Sequence, residues 1–205
     1  MAAVLQSSGS ERERNKLRNR ELILAAARDC FLRMGYGAVS VRDIIGNTPL
    51  ASGTFYNYFP DKAAVFRALI EDRIGEMNEH LHEARSSAMS LQEFLYGAYL
   101  NVFRFMDMDP VFFAFIFRTD PVVREFYEVS VFGMLAKGIR EDVQDAIERG
   151  LIPPCDVEYL VAAFYGVGYE MGRSLLMREP RDVEAAAQMA TRLLLGGVAA
   201  LASPE

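Results

Sequence analysis

Residues 39–62 read "VSVRDIIGNTPLASGTFYNYFPDK", two short helical patterns joined by a turn. Ser40 is a candidate N-cap for the first short helix, and Pro49 ends that helix. The second short helix is predicted over residues 52–58. A longer helix precedes both, because apolar residues recur at helical spacing, at Ile23, Ala26, Ala27, Cys30, Phe31 and Met34. Three helices in this arrangement, the last two short, indicate a helix-turn-helix unit.

A helix-turn-helix unit lays its second short helix in the major groove of DNA, and the side chains of the second helix fit that role. Phe55 and Phe59 are four residues apart and are expected to pack inward. Tyr56 and Asn57 are long enough to reach a phosphate or a base edge. Small residues at the start of the helix suit a nearby phosphate. Lys62, at the start of the next helix, is placed to pair with phosphate as a point charge.

The run "VSVRDIIGN" followed by "SGTFYNYFPDK" closely resembles the DNA-binding domain of TetR-type transcriptional repressors, over about residues 15–70. The matching positions are Val41, Arg42, Asp43, Ile44, Gly53, Thr54, Tyr56, Tyr58, Phe59 and Lys62. The resemblance implies a homodimer that binds a palindromic operator and responds to a small-molecule effector. It also implies DNA contacts from Arg42, Ser52, Gly53, Thr54, Tyr56, Asn57, Tyr58 and Lys62. For Tyr58, packing against the first helix is the alternative.

The turn departs from the family pattern, since Thr48-Pro49-Leu50-Ala51 stands where the family has Ala-Gly-Val-Ser. Pro49 cannot adopt the left-handed conformation that a turn glycine supplies. Ala51 has no side-chain acceptor, so we expect the N-cap role to pass to Ser52. We therefore predict an altered turn and a shorter second helix. We call this second helix, predicted over residues 52–58, the recognition helix.

Charge is distributed unevenly along a chain whose net charge is −6. Residues 11–73 hold 11 Lys/Arg and 8 Asp/Glu, whereas the rest of the chain holds 11 Lys/Arg and 20 Asp/Glu. A basic N-terminal third on an acidic body indicates a polyanionic partner at one end. The densest basic run, "RERNKLRNR" at residues 12–20, is equally typical of a solvated helix face.

The remainder of the chain is also helical in pattern, so we predict an all-α fold of about nine helices. The expected division is a flexible N-terminal arm at residues 1–14, a three-helix DNA-binding domain at 15–60, and a helical ligand-binding and dimerisation bundle at 61–205. Asp120-Pro121 is expected to begin a long helix that runs to Gly150. Other candidate N-caps are Asp61, Ser90, Asp109, Asp156 and Asp182.

Aromatic and methionine residues in the middle of the chain are more numerous than one helix face can bury. They form either a dense core or, in part, the wall of an apolar cavity. Candidates for the cavity wall are Phe105, Met106, Phe113, Phe117, Phe126, Phe132, Tyr165 and Tyr169. Arg104, Arg118 and the two tyrosines, Tyr165 and Tyr169, are candidates to hold a polar head group, which would suit an amphipathic or lipid-like effector.

Small residues are frequent in the last two predicted helices. Glycine in a helix costs about 1 kcal/mol relative to alanine, so several glycines indicate a close approach between helices. In the family that the chain resembles, these helices pair with their copies in a four-helix dimer interface. Dimer contacts are therefore expected at Ala162, Gly166, Ala187, Ala190 and Leu194. Packing within one subunit is the alternative.

Other function classes find less support in the sequence. His80 and His82 point to different sides of a helix, which makes joint metal binding poor. No nucleophile elbow, phosphate loop or paired-cysteine motif is present. We therefore predict no catalytic residue, metal or cofactor; a helical interaction module without DNA is the remaining alternative. Without a run of about 18 apolar residues or an apolar signal core, we expect a cytoplasmic protein outside the membrane.

Overall fold

The computed structural model describes the backbone of residues 2–126 and 131–200, with side chains at 11–79, 81–119 and 137–198. In these ranges the chain forms eight α-helices and one 3₁₀ helix and no strand, which confirms the all-α prediction. The elements are α1 (Ala2–Met34), α2 (Val41–Gly46), the 3₁₀ helix (Ser52–Asn57), α3 (Lys62–Ser86), α4 (Leu91–Met108), α5 (Pro110–Phe126), α6 (Val131–Glu148), α7 (Val157–Leu176) and α8 (Val183–Ala200).

The chain divides into two compact units between Asp72 and Arg73, inside α3, and not near residue 60 as the sequence predicted. The first turns of α3 belong to the first unit because they pack on α1. The rings of Phe31 and Phe66 meet edge to face with centroids 5.5 Å apart. Arg20 donates two hydrogen bonds to the Asp72 carboxylate, at 3.0 and 3.2 Å.

The flexible arm expected at residues 1–14 is instead helical from Ala2 onward, as the first turns of α1. Eight of the 13 residues at positions 2–14 are alanine, leucine, glutamine, glutamate or arginine, which favour helix, whereas the run "SSGS" at residues 7–10 does not. The predicted end of the helix is confirmed, because α1 stops at Met34 and Gly35 has a φ of +79°. This left-handed residue is the usual C-terminal stop, and glycine adopts it without strain.

Ser40 caps α2 as predicted, through a reciprocal pair of hydrogen bonds with Asp43. The amide of Asp43 donates to Ser40 Oγ at 3.3 Å, and the amide of Ser40 donates to Asp43 Oδ2 at 2.8 Å. This capping box satisfies two amides that the first helical turn leaves without partners. The Ser40 side chain first, and its backbone second, hold the pKa of Asp43 below its ordinary value.

Replacing Ser40 with alanine is expected to lower the free energy of unfolding by about 1 kcal/mol at neutral pH, because the cap is lost. Because the pKa of Asp43 is lowered in the folded state, its contribution to stability is present above the ordinary value of 3.8 and disappears as pH falls through the lowered pKa. Urea denaturation at pH 7 and below about pH 3 measures both effects. An equal difference between the two proteins at both pH values would contradict the Asp43 contribution.

In the second unit, α4 packs against α7 and α8, and α6 packs against α7. The helix starts follow the predicted caps: Ser90, Asp109, Asp156 and Asp182 each accept a hydrogen bond from an amide in the first turn of α4, α5, α7 and α8. The largest buried side chains of this unit that the structure describes include Phe94, Leu95, Phe103, Phe112, Ile152 and Phe164.

The predicted helix start at Asp120-Pro121 is wrong, since α5 continues through it to Phe126. A proline inside a helix removes one hydrogen-bond donor and crowds the preceding turn. The earlier part of α5 buries Phe112, Phe115 and Ile116, and this packing offsets the cost. These buried residues lie outside the Asp-Pro motif, so the motif alone does not indicate that the helix continues.

Candidate nucleic-acid interface and ligand cavity

The turn between α2 and the 3₁₀ helix is held by a threonine and not by a glycine. Thr48 Oγ1 donates to the carbonyl of Ile45 at 2.9 Å and accepts from the amide of Leu50 at 3.2 Å. Among the residues whose placement is described, only Gly35 and Gly150 have a positive φ. Pro49 therefore fits the turn, because no left-handed residue is needed where Thr48 supplies the hydrogen bonds.

The recognition helix is a six-residue 3₁₀ helix, which agrees with the predicted shortening. The predicted N-cap at Ser52 is wrong: Ser52 is already the first helical residue, and the cap position is Ala51, which makes no side-chain hydrogen bond. The amide of Thr54 donates instead to the carbonyl of Ala51 at 2.8 Å. This tight i to i+3 bonding satisfies an amide that a cap would otherwise serve.

Buried rings hold the recognition helix in place and leave polar side chains exposed. Phe55 and Phe59 are buried, with ring centroids 6.1 Å apart, as the sequence predicted. Tyr56, between them, is 63% exposed. Five of the predicted DNA contacts are exposed, and we call them the recognition surface: Arg42, Ser52, Gly53, Tyr56 and Asn57.

Gly53 has open space where a side chain would lie. A Cβ atom built on it meets no atom within 4 Å, and its φ is not left-handed. Nothing in the first unit therefore requires glycine at this position. Glycine leaves the backbone at this exposed position open to close approach from outside the chain.

The other three predicted DNA contacts are half-buried, and two of them bond within the first unit. Tyr58 Oη accepts a hydrogen bond from Asn19 Nδ2 of α1 at 3.2 Å, which is the packing alternative that the sequence left open. Lys62 Nζ donates to the carbonyls of Tyr36 at 2.9 Å, Val39 at 2.8 Å and Gly37 at 3.3 Å. Lys62 thus ties the start of α3 to the loop between α1 and α2.

Replacing Lys62 with methionine is expected to lower the free energy of unfolding by about 2 kcal/mol, because charged hydrogen bonds to the loop carbonyls are lost. Methionine keeps an apolar stem of similar length, so packing changes little. Urea denaturation gives the stability, and DNA affinity at several salt concentrations gives the number of phosphate contacts. Unchanged stability with a salt slope lower by about 1 would instead identify Lys62 as a phosphate ligand.

An apolar cavity of about 70 Å³ lies in the second unit. It is lined by residues of α3, α4, α6 and α7, namely Met77, Asn78, Leu81, Arg85, Phe94, Leu95, Ala98, Tyr99, Val102, Met106, Ile139, Phe164, Tyr165, Gly168 and Tyr169. Pockets for drug-sized ligands have volumes of about 300–1,000 Å³, so this cavity would hold only part of such a ligand. Met77 and Met106 are unbranched and flexible, and their rearrangement would enlarge the cavity.

Of the eight residues predicted for the cavity wall, the structure places Met106, Tyr165 and Tyr169 in the lining. Phe105, Phe113 and Phe117 are instead core residues, buried against other rings: Phe105 and Phe113 have centroids 5.8 Å apart. The Phe126 and Phe132 side chains lie outside the described residues. The dense-core alternative thus describes part of this aromatic group and the cavity alternative another part.

Of the four residues predicted to hold a polar head group, Tyr165 and Tyr169 line the cavity, whereas Arg104 and Arg118 do not. Arg104 is exposed and pairs with Glu184 at 2.7 Å, and Arg118 is exposed on α5. The cation in the lining is Arg85 of α3, which the sequence reasoning missed. A signal for it exists, because Met77, Leu81 and Arg85 follow one another at four-residue spacing, so that a charge continues an apolar stripe.

Gly172 of α7 makes room for a side chain that lines the cavity. A Cβ on Gly172 would lie 2.6 Å from Met106 Sδ, whereas a Cβ on Gly168 would make an ordinary contact with the Tyr99 ring at 3.4 Å. Tyr99 Oη donates to the carbonyl of Phe164 at 2.9 Å, which joins α4 to α7, and burial raises the pKa of Tyr99. Gly172 thus serves packing within the subunit, which is the alternative left open by the sequence.

The residues predicted for dimerisation fall into two groups. Ala187 and Ala190 of α8 are fully buried within the subunit, so their side chains do not reach a surface that a second copy touches. That part of the expectation does not fit the structure, because α8 turns these alanines toward its own subunit's core. Ala162 is exposed, and Gly166 and Leu194 are half-buried.

Within the described residues, no group of three potential metal ligands occurs, and no helix is both long and apolar enough to cross a membrane. The His80 side chain is outside that description, whereas His82 Nδ1 lies 2.7 Å from Asp142 Oδ1. Cys30 is buried and Cys155 half-buried, and neither is in a disulfide.

Comparison with known proteins finds a family model and a relative that match parts of this chain. Residues 23–69 match the model for bacterial regulatory proteins of the tetR family. The chain is 24% identical over 143 residues to YhgD of Bacillus subtilis (strain 168), an uncharacterised HTH-type transcriptional regulator. That match covers 68% of this chain and 74% of YhgD.

Solved structures share the fold along almost the whole chain. A TetR-family regulator from Syntrophomonas wolfei superposes with a TM-score of 0.76 at 19% identity, over 93% of this chain and 100% of that one. FadR from Bacillus subtilis, solved in complex with stearoyl-CoA, superposes with a TM-score of 0.71 at 21% identity, over 87% of this chain and 98% of that one. At these identities the likeness shows the fold alone.

Proposed function

The chain belongs to the tetR family of bacterial regulatory proteins, and we propose that it is a repressor that binds a palindromic operator as a homodimer. Its relatives are transcriptional regulators and not enzymes. We further propose that a small amphipathic effector in the second unit releases it from DNA. The observation that carries the proposal is the recognition surface, whose polar residues are exposed around the buried anchors Phe55 and Phe59.

The recognition surface supplies the chemistry that DNA reading requires. Asn57 is suited to a bidentate pair with adenine, and Arg42 to guanine or phosphate. Tyr56 presents a hydroxyl for phosphate or base edges. Further cations are exposed on α1, at Arg12, Arg14, Lys16 and Arg18. Because the DNA of a bacterium lies in the cytoplasm, we propose that the protein acts there.

A palindromic operator requires two recognition helices about 34 Å apart or somewhat more, and hence a two-fold dimer. The exposed faces of α7 and α8 support a dimer surface, because large apolar residues there include Tyr159, Met189 and Leu193. Ala162 and Gly166 of α7 add small residues that permit a close approach of helices. We therefore propose an interface formed by α7 and α8 of both copies.

Replacing Leu193 with aspartate is expected to convert the dimer to monomer, because two buried, uncompensated carboxylates would face each other across the two-fold axis. Leu17→Asp on α1 is the matched control, because Leu17 is 56% exposed and Leu193 is 60% exposed. Sedimentation velocity of the two variants measures the oligomeric state. Dimers in both variants would exclude α8 from the interface.

The α3 helix offers a route from effector to DNA, because it contributes to both units. Its residues Met77, Leu81 and Arg85 line the cavity, and its first residue, Lys62, holds the loop before α2. An effector that displaces the cavity part of α3 would shift the recognition helices and change their separation on the operator. The stearoyl-CoA bound to the similarly folded FadR supports an amphipathic effector. Equal separation in ligand-bound and DNA-bound crystals would contradict this coupling.

Selection of bound DNA from a random pool, repeated at two salt concentrations, tests the proposal. We expect a palindrome and an affinity that falls steeply with salt. The Lys and Arg side chains of the protein would release counterions from the DNA phosphates, and that release is less favourable at high salt. Weak, salt-insensitive and equal binding to all DNA would instead support a helical interaction module. Adding acyl amphiphiles to the selected complex then tests effector control. Release from DNA supports the proposed control, and tighter binding to DNA would contradict it.

A further inference from the structure

A polar pocket of about 250 Å³ adjoins the apolar cavity in the second unit. Asn78 and Arg85 of α3 line both spaces. Beyond these two residues the pocket is lined by His82, Lys137, Gly138, Glu141 and Asp142, whereas the cavity lining is aliphatic, aromatic and methionine in character. Two adjacent spaces of opposite polarity match an amphipathic molecule, with its apolar chain in one and its polar group at the boundary.

Arg85 is the cation at this boundary, and it is only 4% exposed. Its Nε donates to the carbonyl of Leu81 at 3.1 Å, and its Nη2 lies 2.7 Å from Asp142 Oδ2. Nη2 is buried and makes no hydrogen bond of good geometry in the described part of the chain. The ion pair is therefore close but poorly aligned. Burial lowers the pKa of Arg85, so an additional anion would stabilise its charge.

Asp142 also contacts a second polar side chain, which would remain its partner if Arg85 moved away. Its Oδ1 lies 2.7 Å from Nδ1 of His82, an exposed residue, and Lys137 lines the same pocket. Asp142 would therefore keep His82 as a polar partner if Arg85 turned to a different anion. A carboxylate is the group that matches the planar fork of a guanidinium, through two parallel hydrogen bonds.

We propose that the cavity and the polar pocket form one effector site for an amphipathic carboxylic acid, whose carboxylate replaces Asp142 as the ion-pair partner of Arg85. The apolar chain lies in the cavity, between Met77 and Met106. This inference rests on the proposed effector control of DNA binding and names the effector class. It assigns recognition to the free carboxylate, which a thioester or an alcohol lacks.

The test compares decanoic acid, decanol, decylamine and decanoyl-CoA, all below their micellar concentrations, by calorimetry on the full chain. We expect the acid to bind at least about tenfold more tightly than the alcohol, because only the acid pairs with Arg85. The inference would be overturned by equal affinity for the acid and the alcohol, by tighter binding of the amine than of the acid, or by no binding of the acid. Because this comparison uses the unaltered protein, it tests the preference for a carboxylate even if variants fail to fold.

A double variant, Arg85→Gln with Asp142→Asn, removes both charges and is expected to bind the acid and the alcohol equally. The matched control is Arg104→Gln, whose exposed ion pair with Glu184 lies outside the cavity lining and whose preference for the acid should persist. A double variant that still prefers the acid would overturn the inference. Release from operator by decanoyl-CoA and not by decanoic acid would overturn it while leaving the proposed function intact, whereas no release by any amphiphile would contradict the proposed function itself.

Discussion

Arg85→Gln alone is expected to lower the free energy of unfolding by about 3–5 kcal/mol, one of the largest single effects in this protein. The variant leaves the carboxylate of Asp142, which is 5% exposed, without its buried cation. Asp142 keeps only its contact with the exposed His82. Its desolvation remains while its attraction to Arg85 is gone, so the loss is far larger than the contribution of the pair relative to neutral residues. Urea denaturation of the full chain measures the change.

Two further variants separate the charge effect from a loss of packing. Adding Asp142→Asn to Arg85→Gln is expected to restore most of the lost stability, since no charge then remains buried. Arg104→Gln removes an exposed ion pair of equal length and is expected to change stability by less than about 1 kcal/mol. A double variant as unstable as Arg85→Gln would show that the arginine stem, and not the ion pair, stabilises this region.

The first unit is largely predictable from sequence because its signals are local. The cap at Ser40, the stop at Gly35 and the inward pair Phe55 and Phe59 each depend on residues within one or two turns. The exception is also local in origin. Thr48 replaces a turn glycine by hydrogen bonding to Ile45 and Leu50, and a propensity argument treats threonine only as a neutral residue.

The second unit is less predictable because its features depend on distant segments. Met106 lines the cavity and Phe105 does not, although they are neighbours, because the position of α7 relative to α4 decides which side chain meets empty space. Small residues carry the same ambiguity. Ala187 and Ala190 permit close packing, but their spacing does not say whether the neighbour is the same subunit or a second copy.

Gly53→Ala is expected to weaken operator binding by about tenfold or more while leaving the first unit as stable as before, or slightly more stable. The added methyl group meets no atom within 4 Å in the chain and the backbone is not left-handed, so folding has no steric cost. Bound DNA is the partner that would meet the methyl group, because Gly53 lies on the recognition surface beside the exposed Ser52. A close backbone–phosphate contact does not survive an extra carbon in its path.

Gly75→Ala is the matched control for this prediction, since Gly75 is also exposed, also has open space at its Cβ position, and lies within α3. Alanine there should raise stability by up to about 1 kcal/mol, through helix propensity, and should leave DNA affinity unchanged. Fluorescence anisotropy on the selected operator, with urea denaturation of the same samples, separates affinity from stability. If Gly53→Ala binds DNA as tightly as Gly75→Ala, the backbone at Gly53 does not approach the operator, and DNA reading would depend on the side chains of the recognition surface.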